Sequence, residues 1–276
     1  MNPLAIRQFL QQALLEDVGI HDVTTELIFD PSATMQGIFL AKADGRIAGL
    51  EVVEETFKLM APSLEFECMV QDGADVTPGT VLASVQGSAR AILSAERVAL
   101  NMVQRMSGIA TETRNVCRLI AGSNTQIVDT RKTVPGLRLF DKYAVTVGGG
   151  RNHRFGLYDA VLIKDNHIAA AGSLTLAVER VKRGLGHLVK IEVETDTLEQ
   201  VEEALAAQVD VIMLDNMTPA QVTEAVKLVG GRAVTEASGG ITPANVASYG
   251  STGVDAISLG WLTHSVKALD ISLDVR

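Results

Sequence analysis

The second half of the chain carries a rhythm that leaves few folds open. Six short apolar runs (Gln126 to Asp129, Ala160 to Lys164, Lys190 to Glu194, Val211 to Asp215, Ala233 to Glu236 and Ala256 to Gly260) are each followed by a polar cluster and then a stretch with helical spacing. Apolar runs of this length, flanked by helical stretches, read as strands buried on both faces, and strand–helix alternation makes such strands parallel. At least six such units within about 150 residues favour closure over an open sheet, so the pattern predicts a compact or incomplete α/β barrel.

The first half reads differently. Met1 to Glu16 has the spacing of an amphipathic helix with Leu4, Leu10, Leu14 and Leu15 apolar. Met35 to Ala43 and Leu64 to Val70 read as strands around a helix at Glu51 to Met60, which makes this part mixed α+β. Asp72 to Leu82 has Asp-Gly and Pro-Gly turn chemistry and looks like half of a lipoyl or biotinyl motif. It has no lysine at a hairpin tip, so it reads as structural. Ala89 to Thr111 predicts a long helix linking the two parts.

In an α/β barrel the carboxyl ends of the strands supply the active site. Here the runs close on Asp129-Thr130-Arg131-Lys132, Lys164-Asp165-Asn166-His167, Glu192-Val193-Glu194, Asp215-Asn216, Glu236-Ala237-Ser238-Gly239-Gly240 and Gly260 to His264. Burying that many charges unpaired would cost several kcal/mol each, so a purely structural barrel has no use for them. Arg131, Lys132, His153, Arg154 and Lys164 are suited to hold a substrate with more than one carboxylate, arginine because its planar fork meets a carboxylate in two places. Glu194 and Asp215 are suited to a hard divalent cation, Mg2+, which uses one or two protein carboxylates and takes its other ligands from phosphate and water. The small residues of Ser238-Gly239-Gly240 and Leu259-Gly260 let main-chain N–H groups approach a phosphate.

Composition narrows the partners. With 276 residues and 47% hydrophobic content the chain easily buries a core, and its formal charge of −9 disfavours DNA or RNA. Against that background, seven Lys/Arg and only two acids lie between Arg131 and Lys164, which points to a small, highly anionic ligand in one cleft. The two cysteines, Cys68 and Cys117, suggest neither a zinc site nor a disulfide framework, and no apolar run approaches a membrane span. A soluble, unprocessed cytoplasmic protein is expected. Gly148-Gly149-Gly150 is not a dinucleotide fingerprint; it gives the chain freedom to turn before Arg151.

The ordered set Ala95-Glu96-Arg97, Asp129 to Gly136, Lys142 to Val145, Gly148 to Arg154, Leu162 to His167, Glu192-Val193-Glu194, Leu214-Asp215-Asn216, Ser238-Gly239-Gly240 and Leu262 to Ser265 resembles the quinolinate phosphoribosyltransferases over nearly the whole chain. The resemblance implies an α/β fold with an N-terminal α/β sandwich domain over residues 1–107. A C-terminal incomplete, TIM-like α/β barrel would follow over 108–276, its last residues packing back on the first domain. It implies a homodimer, with higher assembly open, whose sites are shared between chains. It implies transfer of phosphoribosyl from phosphoribosyl pyrophosphate to quinolinate with loss of CO2, making nicotinate mononucleotide for NAD synthesis, with Mg2+ and no organic cofactor. In that frame Arg131, Lys132, His153, Arg154 and Lys164 meet the quinolinate carboxylates, with Arg97 arriving from the partner chain. Glu194 and Asp215 lie by ribose and Mg2+-pyrophosphate, and Ser238, Gly239, Gly260 and His264 lie on the phosphate side. Glu192 and Glu194 share a strand face, so spacing alone leaves the choice open and the resemblance selects Glu194. Lys132 and Lys164 are both candidate proton donors. Asp165, Asn166 and His167 read as supporting groups, while His21 and His187 have no context. The rival readings are a related transferase for another heteroaromatic acid, of the type associated with molybdate transport, a Schiff-base aldolase using Lys164, and a non-catalytic sensor of anionic pyridines.

Overall fold

The computed structural model describes residues 1–275. In chain order the first elements are α1 (Pro3–Val18), α2 (Val23–Ile28), β1 (Thr34–Ala41), β2 (Gly45–Arg46), α3 (Leu50–Met60), β3 (Glu65–Cys68), β4 (Asp75–Val76), β5 (Val81–Ser88) and α4 (Ala89–Leu119). The strand–helix half follows as β6 (Gln126–Val128), α5 (Arg138–Val147), β7 (Val161–Ile163), α6 (Asp165–Ala171), α7 (Leu174–Gly184), β8 (Ile191–Thr195), α8 (Leu198–Ala206) and β9 (Val211–Asp215). It ends with α9 (Pro219–Val229), β10 (Val234–Ser238), α10 (Val246–Gly250), β11 (Ala256–Ser258), α11 (Trp261–His264) and β12 (Ile271–Val275).

These elements form two compact units. The first gathers Met1–Arg114, Val134–Gly149 and the chain from Leu262 onward; the second gathers Asn115–Thr133 and Gly150–Trp261. By these contacts the units interleave along the chain.

In the first unit a four-stranded antiparallel sheet runs in the order β12-β1-β5-β3. Helix α1 starts where the Asn2 side chain accepts from Leu4 N at 3.0 Å and Pro3 follows, and it buries Ile6, Leu10 and Leu14 along one stripe. Those residues join Phe39 of β1, Phe57 of α3 and Leu82 and Val85 of β5 in one hydrophobic core. The Asp72-Gly73 turn has a structural role, because the Asp72 carboxylate accepts from Gly49 N (2.8 Å) and Leu50 N (3.1 Å) and so caps α3. Tyr143 of α5 donates to the same carboxylate at 2.8 Å.

The second unit is a six-stranded parallel sheet in the order β6-β11-β10-β9-β8-β7. Each strand lies beside its sequence neighbour around the series, except that β6 and β7 are not paired with one another, so the α/β barrel is incomplete. The open side of β6 is occupied by a loop. Arg151 forms a parallel bridge to Val128, with Arg151 N donating to Ile127 O at 2.8 Å and Asp129 N donating to Arg151 O at 3.1 Å. Helices α7, α8 and α9 each begin at a Ser or Thr cap (Ser173, Thr197 and Thr218), which ends the preceding loop at a defined place. All six strands read from the sequence are present. Helix α4 extends beyond the expected Thr111, and α5 and β12 arise where no element was expected.

Candidate active site

The carboxyl ends of the six strands surround a cavity of about 810 Å³ in the second unit. Its wall includes Arg131, Lys132, His153, Arg154, Lys164, Glu194, Asp215 and Ser238, eight of the residues expected from the sequence. Cations enter from the β6 and β7 ends and from the loop along β6, while carboxylates enter from β8 and β9. Leu162, Ile168, Ala169 and Met213 supply apolar wall, the surface against which an aromatic ring packs.

Two contacts organise the carboxylate side. Lys164, on the residue just before α6, donates from Nζ to Glu194 Oε1 at 2.7 Å. Asp215 Oδ2 accepts from Asn216 Nδ2 at 2.7 Å, and Asn216 holds a left-handed φ of 55° at the end of β9. Each carboxylate keeps a second oxygen outside these bonds. Two hard oxygen donors on adjacent strands fit a hard divalent cation that shares its shell with phosphate. The turn after β10 is built against Asn216, because a Cβ at Gly239 (φ 88°) would stand 2.2 Å from Asn216 Oδ1. Only glycine fits both that conformation and that approach.

Beneath the cations lies a buried polar layer. His153 N donates to Asp129 Oδ1 at 2.9 Å, His153 Nδ1 accepts from Arg154 N at 2.8 Å, and His153 Nε2 stands 2.9 Å from Glu192 Oε2 and 3.7 Å from Glu236 Oε1. Burial, and then the neighbouring Glu192 charge, push Glu236 up to about 7, against the pull of His153. One ligand atom from each of His153, Glu192 and Glu236 lies within 4.8 Å of the others, a set with metal-ligand chemistry, although the shortest contact has the length of a hydrogen bond. Arg154 is held by its Nη1 bond to Ala160 O at 3.1 Å, and burial followed by the nearby Arg131 charge lowers its pKa.

The two glutamates of β8 lie in different places: Glu192 is buried against His153, whereas Glu194 lines the cavity. The remaining expected residues lie elsewhere. Gly239 follows Ser238 in the glycine turn, Gly260 follows β11, Arg97 is exposed on α4 in the first unit, and His264, also in the first unit, is exposed with Nδ1 2.6 Å from Ser265 Oγ. Of the seven clustered cations, Arg138 and Lys142 lie on α5 in the first unit and Arg151 lies in the bridge along β6, so the charge run is only partly the cleft. Asp165 lines the cavity itself, and His167 Nδ1 accepts from Lys164 N at 3.0 Å. Asp196, Gln200 and Ser258 also line it; only Ser258, near the end of an apolar run, carried a sequence signal.

Residues 22–107 match the family model for the quinolinate phosphoribosyl transferase N-terminal domain, and residues 109–274 match that for its C-terminal domain. The chain is 48% identical over 275 residues to a probable nicotinate-nucleotide pyrophosphorylase (carboxylating) of Bacillus subtilis, covering 100% of this chain and 95% of that one. It is 46% identical over 289 residues to quinolinate phosphoribosyltransferase (decarboxylating) 2, mitochondrial, of Nicotiana glauca, covering 98% of this chain and 82% of the relative. The crystal structure of NadC from Streptococcus pyogenes superposes with a TM-score of 0.97 at 41% identity, covering 100% of this chain and 98% of that one. With both halves matched in order, and with relatives this similar over their length, the chain belongs to the quinolinate phosphoribosyltransferase family.

Proposed function

We propose that this chain transfers a phosphoribosyl group from phosphoribosyl pyrophosphate to quinolinate, releasing pyrophosphate and CO2 and yielding nicotinate mononucleotide for NAD synthesis. The observation that carries the reading is one cavity holding Arg131, Lys132, Arg154 and Lys164 opposite Glu194 and Asp215, in a chain of this family. Four cations suit a dicarboxylate better than a monocarboxylate, and the apolar wall suits its pyridine ring.

The cations position the two carboxylates so that the ring nitrogen meets the anomeric carbon in line, which supplies much of the rate acceleration. As the bond from C1 to pyrophosphate breaks, ribose gains oxocarbenium character, and the carboxylates of Glu194 and Asp215 face that positive charge. Glu194 and Asp215 would also hold Mg2+, which neutralises charge on the pyrophosphate oxygens. Lys164 is paired with Glu194 before substrate arrives, so entry of an anion exchanges one partner for another at Nζ. In the pyridinium formed, the bond from C2 to its carboxylate breaks, the electron pair stays on the carbon beside the positive nitrogen, and CO2 leaves. Nζ of Lys164 or of Lys132 then delivers the proton. Ser238, Gly239, Gly260 and His264 lie on the phosphate side. Two chains form the working dimer, with Arg97 of the partner subunit completing each site; its exposure on α4 in the first unit supports this. Among the described residues no helix is long and apolar enough to cross a membrane, and we place the enzyme in the cytoplasm.

The test is incubation with quinolinate, phosphoribosyl pyrophosphate and Mg2+, with nicotinate as a parallel acceptor. Equal amounts of nicotinate mononucleotide, pyrophosphate and CO2 from quinolinate alone are expected. Turnover of nicotinate instead would refute the dicarboxylate pocket.

A further inference from the structure

Every polar atom of His153 bordering the buried layer is committed to the protein. Its main-chain N donates to Asp129 Oδ1, and its Nδ1 accepts from the main-chain N–H of Arg154 at 2.8 Å. A main-chain N–H can only donate, so Nδ1 carries a lone pair and no proton. The ring's single proton therefore sits on Nε2, which faces Glu192 Oε2 at 2.9 Å and Glu236 Oε1 at 3.7 Å.

We propose that His153 is a positioning residue and not a cationic anchor for the substrate: its neutral imidazole, protonated at Nε2, ties the Arg154 main chain to the buried Glu192–Glu236 pair and so fixes the side chain that Arg154 presents to the cavity. Two adjacent carboxylates would ordinarily draw a second proton onto the ring. The Arg154 N–H blocks it, since a proton on Nδ1 would set two donors head to head at 2.8 Å. The charged groups around the ring are Asp129 just after β6, Glu192 within β8, Glu236 within β10 and Arg154 beside it. Glu236, whose hold on a proton is strengthened by burial and then by Glu192, competes with the ring for the extra proton. The arrangement parallels the outer partners that orient metal-bound histidines, with the Arg154 main-chain N–H in place of the metal.

The inference rests on the proposed function only for the identity of the anion that Arg154 receives. It is tested first by nitrogen-15 NMR of histidine-labelled protein near pH 7, with His153 identified among the five histidines by its absence in His153→Asn. A neutral ring protonated at Nε2, unchanged when quinolinate is added, is expected. An imidazolium signature in the free or quinolinate-saturated protein overturns the proposal, and so does the Nδ1-protonated form. A ring shift on adding Zn2+ alone also overturns it, by making the cluster a metal site. The second test compares His153→Asn, whose Oδ1 can replace Nδ1 as acceptor, with His153→Lys, which keeps a cation and loses the acceptor. The asparagine variant should lose about tenfold in kcat/KM for quinolinate and the lysine variant roughly 100-fold; the reverse order refutes the positioning role. Should the wild type turn over no quinolinate at all, the ring signature still reads the tautomer, so the two failures remain distinct.

Discussion

Arg154 sits in an unfavourable field before any ligand arrives, because burial and then the Arg131 guanidinium both oppose its charge, offset by Glu192, Asp159 and Glu194. A bound dicarboxylate removes that opposition, so binding and local relaxation act together. Arg154→Ala should lower kcat/KM for quinolinate by roughly 30-fold or more, the cost of leaving a buried anion without its partner. It should also shrink the rise in Tm that quinolinate produces in the wild type. Steady-state kinetics with thermal shift checks both, and an unchanged kcat/KM would remove Arg154 from the site. Much of this cavity is legible in the sequence because Lys164, Glu194 and Asp215 close or directly follow apolar runs and Arg131 lies just beyond one. What a period of two cannot encode is depth: Glu192 and Glu194 share a strand face, yet one reaches the buried layer and the other the cavity wall. Asp196 and Gln200 carry no signal beyond polarity, since they sit outside the runs.

The first unit depends on a charge pair joining two helices. Arg105 of α4 donates twice to the Asp141 carboxylate of α5, at 2.8 Å from Nε and 2.8 Å from Nη2, and its Nη2 also donates to Thr263 O at 2.9 Å. Asp141 is fully buried, and burial raises its pKa against the pull of Arg105. Arg105→Met should therefore cost about 3–5 kcal/mol of stability, because it strands a buried carboxylate. The double variant Arg105→Met/Asp141→Leu should recover most of that loss. Urea denaturation of the three proteins checks both, and a loss under about 1 kcal/mol in the single variant would show that the pair contributes little. Helix α5 escapes sequence reading for a local reason: it begins after Leu137 with no side-chain cap, and its Arg138 and Lys142 look like members of a cationic cluster. Strand β12 escapes for a distant one, since five residues at the chain end take their meaning from β1, with Ile271 opposite Ala41. The six parallel strands are legible because burial on both faces writes itself into each run without reference to a partner.

The chain carries a formal net charge of −9, yet one cavity gathers four cations, so a small polyanion finds local attraction there against an unfavourable net charge. The shared-site dimer makes a prediction at this scale. Arg97→Ala and Lys164→Ala chains, each nearly inactive alone, should regain up to about a quarter of wild-type activity when mixed, because random exchange leaves one intact site in half of the dimers. Sedimentation should give twice the chain mass. A monomer, or no recovery despite proven exchange, would refute the sharing. The gap between β6 and β7 has a consequence of another kind. The loop carrying Arg151, His153 and Arg154 is attached along β6 by a few main-chain bonds and is not a barrel stave. Outside the His153 ties to Asp129 and Glu192, its length and side chains can drift without re-registering any strand. A scaffold open at this seam keeps its framework while its acid-recognising rim is rewritten, which gives descendants of such a chain a short route to a new aromatic acid.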